Sequence, residues 1–392
     1  MGFFIISFLL FLAIQLDVGI ASFYEEEEFE IGFKQTINVH EKDLVTKESE
    51  YQEIFLYESD HYGKVLVLDD SLQLTERDAS HYNEMLAHVP MMEFLALHYK
   101  KTTSPSDEEK RKLKVLVLGG GDGYVVSELL KYSDDIVETI DHVELDKDVI
   151  GVSREHFPWA KNLWENERVN LLVIDGAAFI REKIMAKDYY DVIIQDSSDP
   201  FVMEEDGSFE LRPSNVLFSD EHFQSMFQLL EPRQGVLMFQ AETYNIPSNL
   251  EEIQKWRKNL IQYGFHQVRY GTISINSYPT GQIGFYVAHT RQTTNSLEKN
   301  KGEGDSTCTD DSIITKDSMD KSSFIDWNIV SDYFQKLEDT TEYYHPRIHR
   351  RYVICLPKFN PYSCVIKSYL QSPLFKNLAA QVLLTYLFGL KI

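Results

Sequence analysis

The sequence predicts an α/β protein: a doubly wound, Rossmann-like sheet preceded by a small N-terminal antiparallel β domain. Three observations carry that expectation. From Lys114 onward short apolar segments alternate with helical ones. The first of them runs into a helix through a glycine-rich turn, "VLVLGGGDGYVVSELL", Val115 to Leu130. Before Lys114, apolar and polar residues alternate along short segments, the pattern of half-buried antiparallel strands.

Taken in order, "MGFFIISFLLFLAI" is an apolar run of signal-peptide length, too short for a comfortable membrane span. "VGIAS" ends in small residues suited to cleavage after Ala21, yet no Lys or Arg precedes the run. Export or anchoring through residues 1–21 and a cytosolic fate are therefore both open, and 1–22 is set apart as a signal-like segment. Residues 23–100 read as the β domain with a following helix. "KQTINVHEKD", "YQEIFLYES" and "KVLVLDDSLQLTER" are its strands, "YESDHYGKV" a hairpin turn, and "HYNEMLAHVPMMEFLALHY" an amphipathic helix. The charged, breaker-rich "KKTTSPSDEEKRK" marks the boundary.

Residues 110–290 form the Rossmann-like core. Its strands are "KVLVLGGG", "IVETIDHVELD", "VNLLVIDG", "YDVIIQDSS" and "GVLMFQAE"; its crossovers are "VVSELLKY", "DVIGVSREHF", "AAFIREKIMA" and "EHFQSMFQLL". "FHQVRYGTIS" and "GQIGFYVAHT" close the sheet as an antiparallel pair. Residues 291–322 are polar and read as a disordered insertion. A helical segment, 323–392, follows; it contains "WNIVSDYFQKL" and ends in the apolar "NLAAQVLLTYLFGLKI", which is expected to pack rather than to enter a membrane.

A formal net charge of -24 argues against nucleic acid or an anionic membrane as the main partner and favours small cations. The three cysteines, Cys308, Cys355 and Cys364, are too few for a disulfide framework, and no Cys/His spacing suggests zinc.

In an open α/β sheet, ligands bind outside the carboxyl ends of the strands. Here those ends carry acids in succession: Asp122, Glu144, Asp175 and Asp196, with Asp199 and Glu242 close behind. Glu144 lies about twenty residues beyond the glycine turn, where an acid accepts hydrogen bonds from ribose hydroxyls. Asp175 is placed for an adenine amino group, or else for a helix N-cap. Asp122, however, would repel a pyrophosphate. It would repel the α-carboxylate of S-adenosylmethionine as well. Removing that carboxylate leaves a sulfonium and a primary ammonium, so decarboxylated S-adenosylmethionine suits the crevice better than its parent.

The motifs "GGGDG", "VELDKDVI", "DGAAF", "QDSSDP", "QAE" and "SYPTGQIGF" resemble those of the aminopropyltransferase (spermidine/spermine synthase) family, spermidine synthases above all. "SEYQEIFLYES", "YGKVLVLDDSLQLTERD", "HYNEM" and "EYYHPRIHRRYVICLPKF" are similar to the same family, so the likeness covers 35–290 and 340–360. It implies transfer of an aminopropyl group from decarboxylated S-adenosylmethionine, a co-substrate, to putrescine. The products would be spermidine and methylthioadenosine. It further implies a cytoplasmic homodimer with no metal or bound cofactor. By resemblance, Gln52 contacts the donor, Glu144 its ribose, Asp175 with Gly176 its adenine, and Asp122 its ammonium. Asp196 is the general base and Tyr82 orients the amine. Gln73, Asp199, Glu242 and Tyr278 line the acceptor channel, with Asn83, Ser197 and Ser198 beside it.

The chain departs from the family pattern at Tyr124, at Ala241 and in the long acidic loop "FVMEEDGSFELRPSNVLF", which leaves the amine acceptor open. Two other readings compete. A methyltransferase needs a basic or backbone site for the methionine carboxylate, and the sequence offers no candidate. A catalytically silent relative would bind nucleoside or polyamine without turnover.

Overall fold

The computed structural model describes residues 20–25, 35–40, 42, 44–98, 111–198, 200–203, 209–291 and 325–352. Ahead of the core, strands β1 (Ile20–Glu25) and β2 (Gln35–His40) pair antiparallel, with Ala21 opposite Val39 and Ser22 opposite Asn38. A strand therefore runs across the position where the small residues suggest cleavage; the apolar run before Ile20 lies outside the described residues. Strands β3 (Val45–Glu48), β4 (Glu53–Ser59), β5 (Gly63–Leu68) and β6 (Ser71–Thr75) form a four-stranded antiparallel sheet in chain order. The segment "KVLVLDDSLQLTER" is thus two strands, not one. Asp69 and Asp70 between them both take positive φ, 48° and 62°, the backbone twist that a two-residue hairpin turn requires.

Helix α1 (Ala79–His98) follows, and here the sequence reading needs correction. It is not amphipathic: every residue from Ala79 to Ala96 except His81 is buried. Its apolar residues Met85, Leu86 and Val89 share a core with Val115 and Val117, Val192 and Ile194, and Val236 and Met238 on one sheet face. Its polar residues Asn83, Glu84, His88 and Glu93 are buried as well.

The central sheet has seven strands in the order β14-β15-β13-β10-β7-β8-β9. Strands β7 (Leu113–Gly119), β8 (Val137–Glu144), β9 (Val169–Val173), β10 (Val192–Asp196) and β13 (Val236–Gln240) are parallel. Between β10 and β13, β11 (Phe201–Met203) and β12 (Phe209–Leu211) pair as a separate antiparallel ribbon. Strands β14 (His266–Ser274) and β15 (Gln282–His289) close the edge antiparallel, as expected. Helices α2 (Tyr124–Leu129), α3 (Lys147–His156), α4 (Gly176–Ala186) and α5 (Asp220–Leu230) are the expected crossovers; α6 (Pro247–Tyr263) is an additional one. The chain order reverses between β7 and its two neighbours, β8 and β10, so the crevice for a ligand opens at the end of β7.

After the insertion, which apart from Arg291 lies outside the described residues through Phe324, α7 (Trp327–Phe334) and α8 (Pro346–Tyr352) follow. The apolar C-terminal stretch is likewise outside the described residues. Among those that are described, no helix is long and apolar enough to cross a membrane.

Candidate active site

Two glycines let the strand ends approach each other. Gly119 and Gly120 have φ of 77° and 68°, and a Cβ on them would lie 2.1 Å from the Asp196 carbonyl oxygen and 2.7 Å from Asp196 Oδ2. The Gly120 amide donates to that carbonyl at 2.7 Å. The turn that would cradle a phosphate in a dinucleotide fold instead accommodates an aspartate.

Around it lies one cavity. Gln52 and Gln73 reach it from the four-stranded sheet, Tyr82 and Asn83 from α1, and Asp122 and Glu144 from the ends of β7 and β8. Asp175 and Gly176 come from the start of α4, Asp196, Ser197 and Ser198 from the end of β10, and Tyr278 from the turn before β15. Glu242 does not line it: its carboxylate accepts from Asn249 Nδ2 at 3.2 Å, and Gln240, two residues earlier, occupies the wall. Asp199 lies outside the described residues.

The acids are held in unlike ways. Asp196 Oδ1 accepts from the Tyr82 hydroxyl at 2.7 Å, while Asp196 Oδ2 is buried with no hydrogen-bond partner. Burial, then the charges of Asp122 and Glu144, push the Asp196 carboxyl well up, against the Tyr82 bond that lowers it. Asp122 Oδ1 accepts from the Tyr124 amide at 2.8 Å, yet burial raises its carboxyl as well. Glu144 is pushed up to about 7 by burial, although the Asp146 amide donates to its Oε1 at 2.9 Å. Asn83 donates Nδ2 to the Ala79 carbonyl at 2.9 Å, and its buried Oδ1 has no partner. Two buried acceptors in one cavity thus await donors, and a ligand with N–H groups and positive charge meets that need. Asp175 does cap α4, accepting the Ala178 amide on Oδ1 at 2.6 Å.

Three further residues escaped sequence reading. Asp146 caps α3, and its Oδ2 accepts from Gln52 Nε2 at 2.9 Å and Ser49 Oγ at 2.6 Å, tying the small sheet to the end of β8. Gln240 sits within 3.1 Å of the Tyr82 hydroxyl. Arg212, after the β11–β12 ribbon, is a basic group in the cavity wall, contrary to the expectation that none was available. Its guanidinium is engaged by Asp69, 3.0 Å to Oδ2 and 3.2 Å to the carbonyl. Tyr124 leaves the cavity clear, its ring 4.6 Å from that of Trp159.

Sheet order and site together define a Rossmann-like protein with an acid-lined cavity at the carboxyl ends of its parallel strands. Residues 79–299 match the spermine/spermidine synthase domain, and 23–76 match the spermidine synthase tetramerisation domain. The chain belongs to the spermine/spermidine synthase family. It is 37% identical over 245 residues to spermidine synthase 2 of Arabidopsis thaliana, covering 62% of this chain and 63% of that protein. It is 38% identical over 250 residues to spermidine synthase 1 of Datura stramonium, covering 64% and 71%. Among solved structures, the fold matches a spermidine synthase in complex with the transition-state analogue AdoDATO, with a TM-score of 0.61 and 21% identity, over 87% of this chain and 96% of that one. The Thermotoga maritima spermidine synthase matches with a TM-score of 0.60 at 21% identity, over 87% and 95%.

Proposed function

We propose that this protein is a spermidine synthase-type aminopropyltransferase, moving the aminopropyl group of decarboxylated S-adenosylmethionine to putrescine. The observation that carries the reading is the pair of unsatisfied buried acceptors, Asp196 Oδ2 and Asn83 Oδ1, in a cavity ringed by raised carboxyl groups. Glu144 takes the ribose hydroxyls, and Gly176 with the second oxygen of Asp175 faces the adenine. Gln52, held by Asp146, sits over the nucleoside. Asp122 holds the donor's ammonium. Gln73, Tyr278, Ser197 and Ser198 flank the acceptor, with Asp199 and Glu242 assigned to the channel beyond.

A protonated amine cannot attack carbon. Asp196 Oδ2 accepts its proton, and the freed lone pair attacks the methylene beside the sulfonium. The new C–N bond forms as the C–S bond breaks, and the C–S electron pair returns to sulfur, releasing neutral methylthioadenosine. Because the sulfonium is already a good leaving group, alignment by Tyr82 and Asn83 supplies much of the rate. The chemistry asks for no metal or bound cofactor. A methyltransferase reading is disfavoured because Arg212, the basic group that a methionine carboxylate would need, is already paired with Asp69.

The test is an assay with decarboxylated S-adenosylmethionine, S-adenosylmethionine and a panel of amines, with products identified by mass. Spermidine formed from putrescine supports the reading; donor binding without product would establish a silent relative. The same reading carries a homodimer or larger assembly through residues 23–76, checked by sedimentation, and a cytoplasmic location, checked by fractionation. The division into a β domain, 23–100, and a core, 110–290, is part of the proposal.

A further inference from the structure

The parallel pairing of β10 with β13 sets Gln195 opposite Phe239, so the next residues, Asp196 and Gln240, emerge side by side at the strand ends. Tyr82 bridges them from α1, its hydroxyl 2.7 Å from Asp196 Oδ1 and 3.1 Å from Gln240 Oε1. The ring is buried against Phe285 and Tyr278, with centroids 5.2 and 6.1 Å away, which fixes where the hydroxyl sits. A phenol has one hydrogen and here two acceptors. Burial and the neighbouring Asp196 hold the Tyr82 phenol well above its ordinary range, so it keeps that hydrogen throughout.

We infer that Gln240 is a positioning residue for the proton transfer, acting through Tyr82 as the alternative acceptor to which the hydroxyl turns when Asp196 is protonated. The inference rests on Asp196 being the base. While Asp196 is ionised, the Tyr82 hydrogen points at its Oδ1 and steadies the charge. Once Oδ2 has taken the amine's proton, the neutral carboxyl is a poorer acceptor. The hydroxyl then rotates to Gln240 Oε1, so no buried hydrogen bond is lost in the protonated state. Gln240 thereby makes Asp196 a stronger base than a lone Tyr82–Asp196 pair would be. Among the described residues, the titratable groups facing Asp196 are Asp122 from the glycine turn, Glu144 from β8 and Tyr82 from α1, with Tyr278 beyond Tyr82. Changes at Asp122 or Glu144 act on Asp196 by charge alone and need no Tyr82 hydroxyl.

The experiment is the pH profile of kcat for the full-length enzyme with decarboxylated S-adenosylmethionine and putrescine. Gln240→Met removes the acceptor at similar volume: the acidic limb should move down by about half a unit to one unit, with plateau kcat falling about three- to tenfold. Gln240→Glu should move the limb up, a second variant whose opposite sign no loss of packing reproduces. In a Tyr82→Phe background, Gln240→Met should produce no further shift. An unmoved limb, an upward shift in Gln240→Met, or an equal shift without the Tyr82 hydroxyl each overturns the inference. Near-normal turnover in Asp196→Asn overturns the base assignment itself. Collapse of that variant with an unmoved limb in Gln240→Met removes only the role of Gln240.

Discussion

The molecule buries carboxylates in two regions and treats them in opposite ways. In the core around α1 every acid is met. Glu93, 0% exposed, receives Arg269, His289 at 2.6 Å and His349 at 3.0 Å. Burial works to raise its carboxyl, but Arg269 and the two histidines outweigh it and hold the group well below the usual range. Asp191, also 0% exposed, is met by Arg111, Arg233 and the Lys114 amide. In the cavity, Asp122, Glu144 and Asp196 face one another with no ion pair among the described residues, Arg212 in the wall being held by Asp69, and all three carboxyl groups are raised. Satisfied acids are scaffold. Clustered acids that no cation meets are candidates for a functional site.

The contrast breaks most visibly at Asp196. Asp196→Asn keeps the shape and loses the charge, so kcat should fall about a hundredfold to ten-thousandfold, with donor binding weakened much less. Raising the pH should partly rescue it, because more amine then arrives deprotonated; steady-state kinetics across pH would show this. A core acid should behave differently. Glu93→Ala removes the buried carboxylate that Arg269 and two histidines meet and should cost about 3–5 kcal/mol in urea unfolding, an effect on stability first and on turnover second.

A smaller effect sharpens the cavity side. Asp122→Asn should narrow the preference for decarboxylated S-adenosylmethionine over S-adenosylmethionine, by about tenfold or more in calorimetric Kd ratios, since one like charge against the carboxylate is gone. Equal narrowing by a mutation in the core would erase the distinction. The smallest effect concerns pH and the ligand-free protein. Glu144 rises from 4.5 to about 7 on folding, so between those values the folded state holds a proton that the unfolded chain has released. Stability of the free protein should therefore fall as pH rises through that window. Glu144→Gln should remove part of the slope, about 1–2 kcal/mol, read from melts at pH 5 and pH 8.

Much of this was legible beforehand because it follows from strand ends. The glycine turn, the five parallel strands and the acids Asp122, Glu144, Asp175 and Asp196 sit at positions that any open α/β sheet brings together. What escaped depends on chain segments far apart. Arg212 meets Asp69 across 143 positions, and nothing local in "FELRPSN" announces that partner. Glu242, the acid of "QAE", was expected in the cavity from its place beyond a strand end, but the residue lining the wall there is Gln240. Helix α1 mixes polar with apolar residues and so reads as amphipathic in sequence, yet Asn83, Glu84, His88 and Glu93 are all buried. Helix α6 was recoverable: Pro247 opens it, Gly264 caps it with φ of 107°, and Ile253, Trp256 and Leu260 repeat on one face.

Glu84 sits one position after Asn83 on the helix that serves the cavity, and it is 0% exposed. Its carboxylate accepts the backbone amides of Glu342, Tyr343 and Tyr344 at 2.7, 2.8 and 2.5 Å. On a ribosome those three amides appear some 260 residues after the carboxylate that receives them. Until then the Glu84 side chain lacks the three donors that satisfy it once buried, so the strands of the Rossmann-like core are synthesised before α1 has its full set of hydrogen bonds. The last buried hydrogen bonds of α1 are in this sense made late in biosynthesis.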